Sequence, residues 1–144
     1  EGVIELNLVK RGLNDRELVM PADPKDPRGD PAETEYVTIS RAAHRATWMA
    51  LRPHTGRTHQ LRAHMKAIGH PILGDPKYGD ENSAQLSEGL KLQLHHRRIA
   101  LPHPGGGMLI VEAPISPEMK AGFQRFGFAE SEADPEPFAK RKRR

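Results

Sequence analysis

Residues 51–79 read LRPHTGRTHQLRAHMKAIGHPILGDPKYG, and they decide where this chain changes from strand to helix. Gly56 predicts a tight turn, and Thr58 is suited to cap the helix that follows. The apolar side chains of that helix recur at spacings of four and three residues, as Leu61, Met65 and Ile68. Gly69 is a natural residue to end a helix, and Pro71 lies just beyond it. The stretch therefore predicts a helix of about three turns.

Upstream of this helix, apolar and polar residues alternate with the two-residue period of half-buried strands. The pattern predicts strands over residues 3–9 and 17–20, followed by a loop rich in Pro and Asp over residues 21–31. Residues 34–40 and 46–51 show the same alternation. They predict an antiparallel pair of strands that leads into the helix.

Downstream of the helix, residues 90–96 predict a short helix or turn. Residues 98–102 and 108–113 predict two strands joined at three consecutive glycines. Residues 116–126 have an amphipathic pattern that begins with Ser116 as a cap, which predicts a closing helix. Together these elements predict the α+β class, with a mixed, mostly antiparallel sheet and flanking helices.

The chain divides into a folded part, residues 1–128, and a charged tail, residues 129–144. The tail is rich in Glu, Asp and Pro, has few apolar side chains and ends in KRKRR. The free energy gained by burying so little apolar surface is smaller than the conformational entropy cost of ordering the segment. We therefore expect the tail to be disordered. The chain begins at Glu1 and runs at once into a strand pattern, which we interpret as typical of a fragment.

Charge is unevenly distributed, although the net charge of the chain is only +3. Residues 52–103 contain eight Lys or Arg, four Asp or Glu, and seven of the eight histidines. The segments on both sides, residues 1–51 and 104–139, are acidic. A basic, histidine-rich centre indicates a surface for a polyanion, and segregation of charge by chance in a short chain is the alternative.

Composition also excludes several classes of protein and site. No apolar run approaches the roughly 20 residues that cross a bilayer, and no signal segment opens the chain, so we expect a cytoplasmic protein. The absence of cysteine excludes disulfides and Cys-based zinc sites. His59 and His64 are five residues apart and would point to different sides of a helix, while His95 and His96 are adjacent. We therefore expect no metal site.

Three segments resemble signatures of the RluA/RluC/RluD-type pseudouridine synthases: GRTHQLRAH at residues 56–64, GHPILGDPKYG at 69–79 and LQLHHRRIALPHP at 92–104. The resemblance implies isomerases that break the N-glycosidic bond of a uridine in folded RNA and rejoin the base through carbon. It implies no cofactor. That family carries an aspartate in an HRLDxxTSG-like motif and a tyrosine in a KxYxA-like motif. This chain has neither motif, so we expect an inactive C-terminal portion of the catalytic domain.

The resemblance assigns roles to individual residues of the first signature. Arg62 matches the arginine that pairs with the catalytic aspartate, here an absent partner, and Leu61 matches the apolar residue packed against the target base. Four further residues match positions that shape the turn and the RNA-facing cleft: Arg57, Thr58, His59 and Gln60. Tyr36 and Asp75 do not match the family's catalytic tyrosine and aspartate.

Other charged residues in the basic centre complete the expected RNA contacts. The main candidates are Arg52, Lys66, Lys77, Arg97 and Arg98, with His54, His70 and His103 beside them. For each one taken singly, a solvated surface charge is the alternative. We expect large-subunit ribosomal RNA (23S) as the partner of a monomeric enzyme. The alternative function is a non-catalytic RNA-binding module derived from the same fold.

Overall fold

A computed structural model describes residues 1–139, and their α+β architecture confirms the predicted class. Every strand pairing within these residues is antiparallel, and the strands divide among three sheets, ordered β1-β4-β5, β2-β3 and β6-β7. The strands of this part of the chain are β1 (Gly2–Glu5), β2 (Leu8–Arg11), β3 (Leu18–Pro21), β4 (Glu33–Ala42), β5 (Ala46–Pro53), β6 (Arg98–Pro102) and β7 (Met108–Glu112).

The helices within the same residues are α1 (Gln60–Ala67), α2 (Glu81–Leu86) and α3 (Pro117–Phe126). None of them is long and apolar enough to cross a membrane. α3 begins as predicted, because the Ser116 hydroxyl accepts a hydrogen bond from the N–H of Met119 at 3.2 Å. α2 lies between the second and third signature segments, where no helix was predicted. Residues 90–96, where a short helix or turn was predicted, contain no helix.

The predicted strand over residues 3–9 is wrong in one respect, because it divides into β1 and β2. The carbonyl of Asn7 accepts a hydrogen bond from the N–H of Ala22 at 2.8 Å, and Leu8 exchanges two hydrogen bonds with Asp30. These contacts direct the chain into a second sheet after β1. The apolar alternation continues through this change of sheet, so the sequence pattern did not reveal it.

Helix α1 starts one residue later than predicted and spans eight residues, about two turns. Thr58 is not its cap. His59 holds the cap position in the left-handed region at φ 50°, and the side chain of Gln60 satisfies the N–H of Arg57. The predicted end is confirmed: Gly69 has φ 83°, and the N–H of His70 bonds to the carbonyl of Met65 at 2.9 Å.

The core forms where α1 packs on β2 and β3. Its buried hydrophobic cluster consists of Leu8, Val19, Ala32, Ala63 and Tyr78. A second contact region lies under α3, where the ring of Trp48 is 4.5 Å from that of Phe123. The core therefore sits directly behind the helix that carries Leu61 and Arg62.

Part of the tail that was predicted to be disordered contacts the folded strands. Residues 129–139 include a short 3₁₀ helix, Glu130–Glu132, and they contact the fold through Glu132, Glu136 and Phe138. These contacts differ from the expected solvated tail, because an aromatic ring and two carboxylates find partners on the strands. Residues 140–144, with the KRKRR sequence, lie outside the described residues. The division of the chain at residue 128 stays a prediction.

Candidate functional site

The turn before α1 is held by the side chain of Gln60, which is only 4% exposed. Its amide oxygen accepts hydrogen bonds from the Thr55 hydroxyl at 2.6 Å and from the N–H of Arg57 at 3.1 Å. Its amide nitrogen donates to the carbonyl of Glu33 at 2.9 Å and to the Thr34 hydroxyl at 3.0 Å. Gln60 therefore ties the turn to β4. The sequence assigned it to RNA binding, but its burial gives it a structural role.

His64 continues this buried polar network and is fully buried. Its Nδ1 lies 2.8 Å from the Thr34 hydroxyl, and its Nε2 lies 2.9 Å from the carbonyl of Leu6. Since a carbonyl only accepts, Nε2 carries the proton and donates to Leu6. The Thr34 hydroxyl accepts from Gln60 and donates to Nδ1. In this arrangement every group in the chain of hydrogen bonds has a partner.

Arg62 forms an ion pair within this chain, because Asp75 binds one edge of its guanidinium. Nε donates to Oδ2 of Asp75 at 2.9 Å, and Nη2 donates to Oδ1 at 2.7 Å. The side chain of Asp75 is fully buried and that of Arg62 is 16% exposed. Asp75 is a partner that the sequence did not predict, and the pairing of Arg62 with an aspartate outside this chain stays a prediction. Within residues 1–139 no contact involves Nη1, so the outer edge of the guanidinium remains open to a second acceptor.

Asp75 is itself fixed by the loop that carries it. Burial by itself raises the pKa of the Asp75 carboxyl. Hydrogen bonds from Arg62 and from the N–H groups of Tyr78 and Lys77 lower this pKa, and together their effect is larger than that of burial. The pKa therefore lies below its ordinary value of 3.8. Asp75 stays ionised at neutral pH and holds the Arg62 fork in one orientation.

The loop can reach this position because residue 74 is a glycine. Gly74 has φ +75°, and an added Cβ would lie 2.1 Å from the carbonyl oxygen of Lys91. The N–H of Gln93 bonds to the carbonyl of Leu73 at 2.8 Å, which joins the two chain segments. Close approach of backbone to backbone thus packs the third signature segment against the second.

The ring of Tyr78 packs against the guanidinium of Arg62. Its ring lies 4.9 Å from the guanidinium carbon of Arg62, a cation–π distance. Its hydroxyl, buried with the rest of the side chain, accepts from the N–H of Val19 at 3.1 Å and lies 2.9 Å from Nδ1 of His59. With Nδ1 unprotonated, the hydroxyl donates to it. His59, Arg62, Asp75 and Tyr78 therefore form one connected cluster, of which the sequence assigned roles only to His59 and Arg62.

We expect the stability of the chain to rise with pH up to about 6.5 because of His59. Burial and the charges of Arg62 and Lys77 lower the pKa of His59 below its ordinary value of 6.5. The unfolded chain therefore binds more protons than the folded chain between the folded pKa and 6.5, and stability falls as pH decreases through this window. Urea unfolding of His59→Asn should show a flatter pH dependence there. Asn suits this test because it tolerates the left-handed backbone; an unchanged slope would contradict the prediction.

An open pocket of about 310 Å³ lies beside this cluster. The residues that line it are Pro53, Thr55, Gly56, Arg57, His59, Gln60, Leu61, Arg62 and Leu94. The predicted pair Leu61 and Arg62 thus faces one cavity, with an apolar wall beside a cation. A second pocket of about 250 Å³ lies on the other side of the turn and is lined in part by Lys10, Arg57 and Thr58. Thr58 faces this second pocket rather than the first.

The predicted phosphate-binding residues do not form one free surface. Arg52 is paired with Glu35, and the Arg57 side chain donates to the carbonyl of Pro31 at 2.9 Å. Arg97 donates to the carbonyl of Ala113, and Arg98 contacts Glu112 and Glu136. Lys66 is exposed on α1 and Lys77 is half-buried beside Asp75. Partners on the protein thus engage the arginines among these candidates.

The described residues contain no group of three or more His, Asp or Glu side chains arranged to hold a metal ion. Sequence reasoning missed Thr34, His64, Asp75 and Tyr78 as residues that build the site. The two signature segments carried His64, Asp75 and Tyr78, but their contacts span up to 59 residues of sequence. Thr34 lies outside those segments, and nothing in its neighbours marks it.

Comparison with known proteins finds related sequences and one related fold. The RNA pseudouridylate synthase family matches residues 2–67. The dual-specificity RNA pseudouridine synthase RluA of Salmonella typhi is 46% identical over 79 residues, 55% of this chain and 35% of that protein. RluA of Escherichia coli K12 is 41% identical over 87 residues, 60% of this chain and 39% of that protein.

A solved structure resembles this fold over most of the chain. Human RNA pseudouridylate synthase domain containing 1 has a TM-score of 0.68 and 25% identity, over 83% of this chain and 51% of that one. This chain thus spans little more than a third of the curated relatives above and about half of the solved one. The matching signatures, the aligned relatives and the shared fold support the RluA-type family of RNA pseudouridine synthases for this chain.

Proposed function

We propose that this chain forms the uridine-facing side of an RNA pseudouridine synthase. The observation that carries the proposal is the position of Arg62: buried Asp75 fixes one edge of its guanidinium, while the residue lines the same pocket as Leu61. An arginine held in this way offers its outer edge to a second carboxylate without having to be oriented first. Leu61 supplies an apolar surface for a base, which needs no hydrogen-bond partner on its face.

In the proposed reaction a uridine leaves the RNA stack and enters the pocket. The catalytic carboxylate belongs to a segment that precedes this chain in the full-length protein, and Arg62 keeps it ionised and in place. The N-glycosidic bond to N1 breaks, the base rotates, and C5 bonds to the sugar; C5 then loses its proton and N1 takes one up. The chemistry is an isomerisation, so the proposal includes no cofactor.

The proposed target is a uridine of large-subunit ribosomal RNA, modified in the cytoplasm by a monomeric enzyme. The basic centre of the chain and the resemblance of its signatures support an RNA target. Mapping of pseudouridines in ribosomal and transfer RNA from a strain without the gene tests the choice of substrate. Loss of a modification in transfer RNA alone would contradict the ribosomal assignment.

Tritium release from RNA that contains 5-tritiated uridine tests the activity. We expect release by the full-length protein and background counts from residues 1–144 alone, because this chain lacks the HRLDxxTSG-like motif. The matched control is the full-length protein with Asn in place of the upstream aspartate. Release by residues 1–144 alone would place the catalytic carboxylate within this chain. RNA binding without release by the full-length protein would favour the non-catalytic module.

A further inference from the structure

The acidic strap, residues 130–138, lies across the strands instead of extending into solvent. Glu132 accepts a hydrogen bond from the Ser40 hydroxyl at 2.8 Å. The carboxylate of Glu136 is 2.9 Å from Nη2 of Arg98. The ring of Phe138 lies 4.5 Å from the guanidinium carbon of Arg52. Two of these three contacts are made to arginines that the sequence assigned to RNA.

Arg52 is arranged to present a flat face. Its Nε and Nη2 donate to Oε2 of Glu35 at 2.9 and 2.5 Å, and the residue Glu35 is only 3% exposed. Because this ion pair uses the edge of the guanidinium, its face is left for stacking, and Phe138 occupies that face. A guanidinium face of this kind stacks on nucleobases as it does on aromatic side chains.

Arg98 supplies a cation that binds the strap two residues before Phe138. Its Nε is buried and makes no hydrogen bond within the described residues, although it lies 3.4 Å from the Glu112 carboxylate in an ion pair. Nη2 binds Glu136, whose side chain is 56% exposed. An ion pair this exposed is weak and is readily exchanged for a stronger anion.

We infer that Arg52 and Arg98 form a nucleotide subsite for RNA that the acidic strap occupies in the free protein. The strap reproduces the chemistry of one nucleotide: Phe138 stands in for a base stacked on Arg52, and Glu136 stands in for a phosphate paired with Arg98. Arg52 directly precedes Pro53, which lines the larger pocket. The inference rests on the proposed function only in taking RNA as the ligand.

If the strap competes with RNA for the subsite, weakening the strap contacts should raise the affinity for RNA. We expect Glu136→Gln with Phe138→Ala to tighten binding of a fluorescein-labelled, uridine-containing single-stranded RNA to residues 1–144 by about threefold to tenfold, measured by fluorescence anisotropy. Glu130→Gln is the matched control, because it removes the same charge from the strap without breaking these contacts. Arg52→Lys keeps the charge and loses the flat face, so it should abolish the part of the gain that comes from stacking.

The inference is supported if the gain disappears in an Arg98→Ala and Arg52→Lys background. An equal gain from Glu130→Gln, a gain that persists in that background, or no gain would overturn it. Circular dichroism of each variant separates these outcomes from unfolding. Tritium release by the full-length protein is measured in parallel. Its absence would remove the proposed isomerase activity, while the RNA titration would still decide whether the strap covers a nucleotide subsite.

Discussion

Arg62→Ala is expected to lower the free energy of unfolding of this chain by about 3 kcal/mol, the lower end of the range for breaking a buried ion pair. The substitution leaves the Asp75 carboxylate, whose side chain is fully buried, without its bidentate donor. Two N–H groups of the Asp75 loop still bind the carboxylate, and Arg62 is 16% exposed, so water can reach part of the gap. These two facts place the expected loss at the lower end.

Urea denaturation followed by tryptophan fluorescence measures the effect, with Lys66→Ala as the matched control. Lys66 is exposed on the same helix, and its removal should change stability by no more than about 0.5 kcal/mol. Arg62→Ala combined with Asp75→Asn should lose less than the two single changes added together, because the unpaired charge is then absent. Strict additivity would show that the two side chains do not interact.

The same substitution is expected to remove most turnover of the full-length protein. Without Arg62 the proposed catalytic carboxylate loses the cation that keeps it ionised and oriented. Arg62→Lys, which keeps the charge but not the planar fork, should restore stability in part and turnover less. Near-normal tritium release by Arg62→Ala would remove this residue from the site even if its role in folding were upheld.

Gln60→Leu is expected to cost about 3 kcal/mol, although it conserves volume and adds apolar surface. The amide bonds four groups of the turn and β4. Leucine leaves the hydroxyl of Thr34 without a donor, and the carbonyl of Glu33 keeps only the N–H of His54. The Thr34 side chain is buried, so water does not replace the lost bond. The turn loses its attachment to the sheet at the same time.

Gln60→Glu distinguishes the lost donors from the changed shape. Glutamate keeps both acceptor contacts, to Thr55 and to the N–H of Arg57, but its ionised form has no proton to donate to β4. Urea unfolding at neutral pH should therefore show a loss, which should diminish on acidification as the carboxyl gains a proton. A loss that is the same at both pH values would mean that the missing donors are not its cause.

The sequence by itself determined the local elements and the family. The two-residue alternation predicted β4 and β5, and two strands joined at three glycines were predicted where β6 and β7 lie. Gly69 and Ser116 predicted helix ends, and the GRTHQLRAH segment indicated Leu61 and Arg62 as neighbours at a pocket. Such features depend on residues close together in the chain, for which propensity and spacing are direct evidence.

Only the tertiary structure decided which side chains serve each other. Asp75 was set aside as a loop residue, yet it holds Arg62; Gln60 was assigned to RNA, yet it is buried against β4. The division of the first strand and the return of the acidic strap onto Arg52 and Arg98 were likewise missed. These arrangements depend on hydrogen bonds and ion pairs between distant residues. Whether a polar side chain meets solvent or a partner depends on what the fold brings beside it, and sequence spacing does not carry that information.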